Sequence, residues 1–316
     1  MDIGSVCIIG GTGFVGQSIA EQAVARGLRV RVVTRSQPRA KDLLVLPTLE
    51  VMVASPHDEK ALERAFDDMD AVVNLAGILH EGGDATFQRV HAELPRKIVK
   101  ACQASGVQQL LHMSALGAHA NGPSRYQRSK AAGEAAVREA GATPAWTIFR
   151  PSVIFGEHDH FLNLFASLVR LFPVVPLAAA HARFQPVWVD DVARAFVGCL
   201  GANEAAGRTI PLCGPRAYSL AELVGFVATT LGRHPKIVPL GPGLASLQAF
   251  LLEHLPGRLM TRDNLASMRV DNVCADPWPE DLGFEPSPLE AVVPEYMAPV
   301  TSRARYQRFR HFAGRG

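Results

Sequence analysis

The chain has 316 residues, of which 48% are hydrophobic and 20% are charged, and its formal net charge is +2. This is the composition of an ordinary globular protein, and the length suggests about two domains. The apolar stretches are all interrupted by charge or proline before 18 residues, and the N-terminus has no basic segment ahead of its apolar run, so we expect neither a membrane-spanning helix nor a secretory signal.

The first half of the chain alternates strand-like and helix-like segments. The predicted strands are residues 5–9, 29–34, 71–75, 109–114 and 147–149, and the predicted helices are residues 14–25, 56–66, 87–105 and 126–140. Strands that alternate with helices in this way indicate a parallel sheet with helices on both faces. The sequence therefore predicts an α/β fold, a doubly wound parallel sheet of the Rossmann type.

The second half is less regular and richer in proline. Its predicted elements are helices at 192–200, 220–231, 244–255 and 288–293 and a short strand at 236–240. We expect a Rossmann domain over residues 1–155 and a smaller C-terminal α/β substrate-side domain over residues 156–300. Residues 184–202 are expected to return to the Rossmann domain, and residues 301–316 form a basic tail.

One of these helices carries an apolar stripe of five side chains, Leu244, Leu247, Phe250, Leu251 and Leu255. Residues at this spacing share one face of a helix, and the commonest role of such a face is core packing. The alternatives are a cover for a lipophilic substrate and a contact with a membrane.

A glycine-rich segment follows the first predicted strand and opens the first predicted helix. It consists of Gly10, Gly11, Thr12, Gly13, Phe14, Val15 and Gly16. Glycines at this place allow a tight turn and a close backbone approach to a pyrophosphate, which then lies at the helix N-terminus. The segment predicts a dinucleotide site, since the strand and the helix supply its usual context.

The end of the second predicted strand indicates which dinucleotide binds. An NAD site usually has an acidic residue there for the ribose 2′-hydroxyl, whereas this chain has Thr34, Arg35 and Ser36. Arg35 can pair with a 2′-phosphate, with Arg39 and Lys41 nearby, so NADPH is favoured over NADH. The alternative is that Arg35 is a solvated loop residue.

These residues and three further motifs resemble the short-chain dehydrogenase/reductase superfamily in its extended and atypical members. The motifs are Asn74-Leu75-Ala76-Gly77 after a strand, Tyr126 and Lys130 in a Tyr-x-x-x-Lys pattern, and Arg150-Pro151-Ser152. The resemblance implies that cofactor contacts come from Leu75, Ala76, Gly77, Ser114, Tyr126, Lys130, Arg150, Pro151 and Val153.

Later segments resemble one atypical branch, which contains the nucleotide-binding accessory subunit of respiratory complex I and its bacterial relatives. They include residues 155–161, the run 185–192, residues 213–215 and residues 282–284. This resemblance implies an NADPH-binding protein connected with quinone or respiratory metabolism, and it leaves catalysis open.

The candidate catalytic residues are Tyr126, Lys130 and Ser114. Tyr126 and Lys130 lie four residues apart on one helix face, and a nearby ammonium is expected to lower the pKa of the tyrosine so that it can exchange a proton with a carbonyl or alcohol oxygen. Ser114 matches the first serine of the family at this strand end. The family's catalytic serine or threonine would fall at Leu116, and Ser124 is a candidate substitute.

Several other groups have ordinary roles as their first interpretation. His80, His91, His112 and His119 fall in segments that converge near the cofactor in this fold, and we expect ordinary polar contacts for them. Residues 157–160 hold two histidines and two acids, for which loop hydrogen bonding is favoured over a metal site. Asp190 and Asp191 precede an apolar helix and are expected to cap it.

The five scattered cysteines are expected to be reduced, as in a cytoplasmic protein. Residues 301–316 hold five arginines, which leaves 27 basic and 30 acidic residues elsewhere. The tail could bind an anionic membrane surface or an acidic protein, or have no function. Nucleic acid binding is not expected, since the body has no basic excess.

Three functions remain open at this point. The first is an NADP(H)-dependent oxidoreductase that acts on an unknown, quinone-like or lipophilic small molecule, in the cytoplasm or at the inner face of the membrane. The second is a non-catalytic NADPH-binding accessory or assembly protein of respiratory complex I. The third is a nucleotide-sugar epimerase or dehydratase, which the missing acid after the second strand and Leu116 disfavour.

Overall fold

A computed structural model describes residues 1–254 and 260–298. In chain order the strands are β1 (Ser5–Ile9), β2 (Arg29–Thr34), β3 (Leu49–Val53), β4 (Ala71–Asn74), β5 (Gln109–Met113), β6 (Ala145–Pro151), β7 (Ile154–Phe155), β8 (Val174–Leu177), β9 (Arg183–Phe184), β10 (Val187–Trp188), β11 (Arg208–Leu212), β12 (Tyr218–Ser219) and β13 (Lys236–Pro239).

The helices follow the same order. They are α1 (Phe14–Ala25), α2 (Glu59–Phe66), α3 (Leu94–Ala104), α4 (Arg125–Arg138), α5 (Leu162–Leu171), α6 (Val189–Cys199), α7 (Leu220–Thr230), α8 (Pro242–Glu253), α9 (Arg262–Ser267) and α10 (Leu289–Met297). A π-helical segment, Gln88–Glu93, leads directly into α3. No helix within the described ranges combines the length and apolar content needed to cross a bilayer.

Seven strands form one parallel sheet, in the order β11-β6-β5-β4-β1-β2-β3. From β1 the chain adds strands outward to β3, then returns to the other side of β1 with β4. The crevice at the carboxyl ends of β1 and β4 is therefore the switch point of the sheet, where ligands of doubly wound folds bind. The predicted α/β fold with a doubly wound parallel sheet is confirmed.

Each face of the sheet is covered by helices. On one face, Ile19 of α1 and Phe196 of α6 belong to a single buried cluster with Phe149 of β6. On the other, Leu62 of α2, Ile98 of α3 and Val137 of α4 belong to a second cluster. Because both faces are buried, β1 is buried along its whole length and has the continuous apolar run Val-Cys-Ile-Ile rather than an alternating pattern.

The C-terminal part has its own buried cluster. Helices α5, α7 and α10 contribute Phe165, Leu223 and Val293 to it, and β8 contributes Val175. Strands β8 and β13 pair in parallel as a separate two-stranded sheet. The chain also crosses back to the central sheet, since β11 pairs with β6 at its edge.

The prediction that all five cysteines are reduced is wrong. Cys213 and Cys274 form a disulfide across 61 residues of sequence, while Cys7, Cys102 and Cys199 are buried free thiols. Gln185 joins the same two segments, because its amide donates to the Gly214 carbonyl at 2.6 Å and accepts from the Cys274 N–H at 3.0 Å. Sequence spacing could not show the pair, which tertiary folding brings together.

The expected capping roles of Asp190 and Asp191 are also wrong. Trp188 is the N-cap of α6 and makes no side-chain cap hydrogen bond, and the two aspartates lie within the first turn. Asp190 accepts a hydrogen bond from the Ser18 hydroxyl of α1. Asp191 accepts from the backbone N–H and the hydroxyl of Ser287, at 2.6 and 3.2 Å. Both carboxylates join α6 to other segments instead of ending the helix.

Core packing of the α8 stripe is wrong as well. The exposed fractions of Leu244, Leu247, Phe250 and Leu251 are 60%, 52%, 44% and 56%, and Leu255 lies outside the described residues. The body is contacted by the opposite face of α8, where Ala245 and Ala249 are buried. The helix buries its small residues and exposes its large ones, which periodicity alone cannot distinguish from the reverse arrangement.

Candidate functional site

The glycine-rich segment forms a cradle where β1 ends and α1 begins. Gly10 has a positive φ of 84°, a conformation that L side chains rarely adopt, and the Leu75 and Ala76 backbone lies directly beside it. A Cβ at Gly11 would lie 2.8 Å from a Val32 methyl, and one at Gly16 would lie 2.4 Å from the Gly10 carbonyl oxygen. Only glycine fits at these positions.

The start of α1 is open to a ligand. Its N-cap, Gly13, has no side chain, so the first-turn N–H groups receive no side-chain cap. Unsatisfied N–H groups and the helix dipole favour an anion at such an N-terminus. The cradle therefore fits the pyrophosphate of a dinucleotide, held by backbone groups of the segment from Gly10 to Gly16.

Arg35 directly follows β2, is exposed, and lies in a basic environment. Burial is the main cause that lowers the pKa of His57, and the positive charges of Arg89, Lys97 and Arg35 lower it further. The Lys97 ammonium also donates to the His57 carbonyl oxygen at 2.8 Å. This concentration of positive charge fits a phosphate group near the end of β2.

The turn after β4 is shaped by the Asn74 side chain. Its carbonyl accepts from the Ala76 N–H at 3.1 Å, and its amide lies 2.9 Å from Nδ1 of buried His112. Leu75 donates its N–H to the Ile9 carbonyl at 2.9 Å. Leu75, Ala76 and Gly77 are thereby fixed along the cradle, where the resemblance placed cofactor contacts.

Tyr126 and Lys130 lie in the first half of α4, at the same crevice. Ser124 caps the helix: its hydroxyl accepts from the Gln127 N–H at 3.1 Å and donates to the Gln127 side chain at 3.0 Å. Ser124 is buried in this capping box, so it does not substitute for the missing catalytic hydroxyl. Leu116 holds that position and donates its N–H to the Pro151 carbonyl at 2.8 Å.

The Lys130 side chain extends from α4 to the end of β5. Its ammonium donates to the Met113 carbonyl oxygen at 2.9 Å, and a Cβ built on Gly77 would lie 3.5 Å from Nζ. Burial lowers the pKa of Lys130 to about 8, against the raising influence of Glu134. The ammonium is thus charged at neutral pH and, having three donors, keeps donors for a ligand.

The expected lowering of the Tyr126 pKa is wrong. Burial raises the pKa of Tyr126 to about 12. The phenol lies among rings: its centroid is 5.5 Å from that of His91 and 6.0 Å from that of Phe87, both edge to face. Desolvation by this apolar surrounding outweighs the effect expected of Lys130, so Tyr126 is protonated at neutral pH.

His91 is a site residue for which the sequence pattern predicted only an ordinary polar role. Its Nε2 accepts from the Ile78 N–H at 3.0 Å, and its Nδ1 lies 2.8 Å from the Ser129 hydroxyl, which donates to the Tyr126 carbonyl. Burial lowers its pKa to about 2, with Lys130 adding to the shift. Neutral His91 thus positions the loop after Gly77 against the helix that carries Tyr126.

Arg150 and Ser114 surround a buried carboxylate of α4. Arg150 donates from Nε and Nη2 to the two carboxylate oxygens of Glu134, at 2.7 and 2.6 Å. These bonds and the neighbouring Ser114 hydroxyl lower the pKa of Glu134, although burial opposes them. Glu134 was not singled out by sequence reasoning, since acidic residues are common on helices.

The segment after Arg150 is tied to the C-terminal part by Asn272. The Asn272 side-chain oxygen accepts from the Ser152 hydroxyl at 2.6 Å and from the Val153 N–H at 3.1 Å. Its amide lies 3.4 Å from the Leu116 carbonyl oxygen. Pro151 and Val153 are therefore held next to Leu116, in a position set by a residue distant in sequence.

A second distant residue holds the start of α4. The Asp263 carboxylate of α9 accepts from the Arg125 N–H at 2.7 Å and from the Tyr126 N–H at 3.0 Å. An acid at a helix N-terminus is favourable, because it satisfies free N–H groups and complements the dipole. The α8–α9 region is thereby attached to the residue expected to handle protons.

The acidic and histidine-rich loop at 157–160 makes loop hydrogen bonds, as predicted. Asp159 is buried and accepts from the N–H groups of Gly156, Phe161 and Leu162, at 3.1, 2.7 and 2.6 Å. Across residues 1–254 and 260–298, no group of three His, Cys, Asp or Glu side chains is arranged to hold a metal ion.

A family model and several curated proteins match this sequence. Residues 10–160 match a family model described as NAD(P)H-binding. The chain is 31% identical over 294 residues to the mitochondrial NADH dehydrogenase (ubiquinone) 1 alpha subcomplex subunit 9 of Mus musculus, which covers 90% of this chain and 77% of that protein. It is 29% identical over 253 residues to a ceramide reductase of Caulobacter vibrioides, covering 78% of this chain and 77% of the relative.

Among solved structures, a nucleoside-diphosphate-sugar epimerase from Staphylococcus aureus has the same fold. Its TM-score is 0.70 at 17% identity, with 90% of this chain and 98% of the other covered. A sequence identity this low shows a shared fold and nothing further.

Proposed function

Because the chain belongs to the atypical short-chain dehydrogenase/reductases, in the branch of the accessory subunit 9 of NADH dehydrogenase and its bacterial relatives, we propose that it is an NADPH-dependent reductase of a lipophilic carbonyl compound. The observation that carries the proposal is the placement of Tyr126 and Lys130 at the glycine cradle, with a phenol that stays protonated at neutral pH. A protonated phenol is the form that donates to a carbonyl oxygen, which favours reduction over oxidation.

The cofactor is held by this chain's own groups. The backbone of Gly10 to Gly16 would bind the pyrophosphate, Arg35 a 2′-phosphate, and Lys130 the ribose hydroxyls with the donors that Met113 leaves free. A bound nicotinamide supplies hydride chemistry at this place. The absence of an acid after β2 and the positive charges near His57 support NADPH over NADH.

Tyr126 is the proton donor in the proposed reduction. Its hydroxyl donates to the substrate oxygen as the carbonyl becomes an alcohol, and the ammonium of Lys130 favours the phenolate left behind. Tyr126 is half-buried against the rings of Phe87 and His91, and this desolvation keeps the proton on Tyr126 until a substrate oxygen accepts it.

A lipophilic substrate is supported by two things. The Caulobacter vibrioides relative is named a ceramide reductase, and the Mus musculus relative is named a subunit of an enzyme that acts on ubiquinone. A lipid ketone and a quinone share an apolar body and a reducible carbonyl. The proposal is limited to that shared chemistry.

A specific observation favours a second candidate, an NADPH-binding protein without turnover. Leu116 stands where the family has a hydroxyl, and Ser124 is engaged in the helix cap. A site without that hydroxyl has lost one stabiliser of the substrate oxygen, a group of the kind whose removal costs about 10²–10³-fold in rate.

The substitution Tyr126→Phe separates the two candidates. The protein is incubated with NADPH and a panel of long-chain ketones and quinones, and cofactor oxidation is followed by absorbance. A reductase loses about 10²-fold or more of its turnover in Y126F while NADPH affinity is kept. Tyr296→Phe removes a hydroxyl in the C-terminal part and serves as the control. Turnover that Y126F leaves unchanged contradicts the mechanism.

A further inference from the structure

The outward face of α8 is apolar, contrary to the usual arrangement of a surface helix. Leu244, Leu247 and Leu251 follow one another at helical spacing and are each more than half exposed. Soluble monomers seldom expose contiguous apolar surface, and such patches commonly mark interaction sites. Together with Phe250, these three leucines form the α8 face.

A second group of exposed apolar side chains lies on the neighbouring strand. Leu171, Phe172 and Val174, at the end of α5 and the start of β8, are 73%, 52% and 47% exposed. The Gln248 amide of α8 donates to the Pro176 carbonyl of β8 at 3.0 Å, so the helix contacts the strand at this point. The Lys236 N–H donates to the Pro173 carbonyl at 2.8 Å and fixes β13 on the other side.

In the two segments that form this surface, every charged side chain is basic. Residues 160–189 and 223–252, which contain α5, β8, β13 and most of α8, hold no aspartate or glutamate. They hold Arg170, Arg183, Arg233 and Lys236, all with exposed side chains. A chain with 30 acidic residues elsewhere thus presents an apolar surface whose own segments hold basic side chains and, before Glu253 at the end of α8, no acid.

We propose that the α8 face and the adjoining residues 171–174 dock on an anionic lipid bilayer. Apolar side chains with neighbouring cations are the pattern of interfacial helices, in which leucine and phenylalanine enter the headgroup boundary and basic residues contact anionic lipids. An acidic protein surface would match the cations but not four exposed leucines and two exposed phenylalanines on α8 and the segment that it contacts. The bilayer satisfies both features, and it does so independently of the basic tail.

The surface is connected with the candidate site through two carboxylates of the α8–α9 region. Glu253 at the end of α8 pairs with Arg262 of α9 at 2.7 Å, and the next residue, Asp263, accepts from the Tyr126 N–H. Docking would therefore place the start of α4 close to the bilayer surface. The docking itself does not depend on the proposed reductase function.

Sedimentation of the full chain with lipid vesicles tests this proposal. We expect binding to vesicles of phosphatidylcholine with 30% phosphatidylglycerol, and at least tenfold weaker binding to phosphatidylcholine alone. The variant L247E/L251E is expected to lose at least tenfold in partitioning. The control L44E/V45E adds the same charge at two other exposed apolar positions and is expected to bind nearly as the unmodified protein does, because those positions lie outside the surface.

Two further measurements separate the α8 face from the basic tail and from self-association. Replacement of the five arginines in residues 301–316 by glutamine distinguishes the tail: the proposal requires that L247E/L251E still weakens binding in that background. Sedimentation equilibrium distinguishes a second copy of the chain. Vesicle binding that L247E/L251E leaves unchanged, or a dimer that this variant dissociates without an effect on vesicle binding, overturns the proposal.

Discussion

Glu134 and Arg150 form a two-bond ion pair between α4 and the end of β6, with nitrogen to oxygen distances of 2.7 and 2.6 Å. The Glu134 side chain is 1% exposed and that of Arg150 is 31% exposed, so the carboxylate depends on protein partners rather than on water. The pair fixes the helix that carries Tyr126 and Lys130 against the strand that ends at Pro151. It connects the two segments from which most of the candidate site is built.

Loss of this pair is expected to be costly. The substitution Glu134→Gln leaves the Arg150 guanidinium without its carboxylate, and breaking such a buried pair costs about 3 kcal/mol of unfolding free energy. Asp281→Asn is the control, because Asp281 and its partner Arg208 are 43% and 42% exposed, and exposed pairs contribute about 1 kcal/mol or less. Urea unfolding measures both, and equal losses would contradict the assigned role of Glu134.

Two buried histidines predict a particular response to acid. Burial lowers the pKa of His91 to about 2 and that of His112 to about 3, whereas both titrate near pH 6.5 in the unfolded chain. Below about pH 6.5 the unfolded state binds protons that the folded state does not bind. The stability that the two neutral histidines contribute is therefore fully present above that pH, and it is lost as the pH decreases.

The slope of this loss can be measured. Each histidine contributes about 1.4 kcal/mol per pH unit once its unfolded form is protonated. Urea unfolding between about pH 5.5 and pH 5.0 is expected to show a smaller slope for His112→Gln, by one proton. A slope that His112→Gln does not alter would refute the effect assigned to burial.

The disulfide predicts the number of titratable thiols. In denaturant without reductant, three thiols are expected to react, from Cys7, Cys102 and Cys199, and five after reduction. Cys213→Ser is expected to show four thiols without reduction, because Cys274 is released. Reduction is also expected to lower the unfolding free energy by about 3 kcal/mol, since the bond closes a long loop. Five reactive thiols without reductant would show that the bond does not form.

The elements of the Rossmann half were predicted well where an apolar run marks the element and a glycine marks its end. β1, α1 and β2 have the predicted ends, because β1 is a continuous apolar run after Ser5, β2 is rich in β-branched residues, and Gly27 follows the helix. β3 and β11 were not predicted. These two strands form the edges of the sheet. β3 contains exposed Glu50 and β11 contains Pro211, so neither strand has the pattern of a central strand.

The candidate site could be predicted where a motif is local. Tyr126 and Lys130 are four residues apart, and the cradle is seven consecutive residues, so sequence contains their geometry. Asp263 and Asn272 reach the site from distant segments through hydrogen bonds to backbone groups. Nothing in their own neighbourhoods distinguishes them from other polar residues. The pKa of Tyr126 was misjudged for a related reason, because burial by Phe87 and His91 is a tertiary effect.

Arg35 gives a prediction about cofactor choice. Arg35→Ala is expected to weaken NADPH binding by about tenfold or more, the scale of a charge-assisted hydrogen bond, and to leave NADH binding nearly unchanged. Arg64→Ala is the matched control, an exposed arginine on α2. Isothermal titration calorimetry gives each affinity at one fixed ionic strength. Equal losses for both cofactors would refute the contact with the 2′-phosphate.

The central claim is that the glycine cradle and Arg35 together form an NADPH site. Its most direct test is a calorimetric titration of the purified, cofactor-stripped protein with NADPH and, separately, with NADH. We expect that both bind and that NADPH binds at least tenfold more tightly. A preference for NADH, equal affinities, or binding of neither cofactor would contradict the claim.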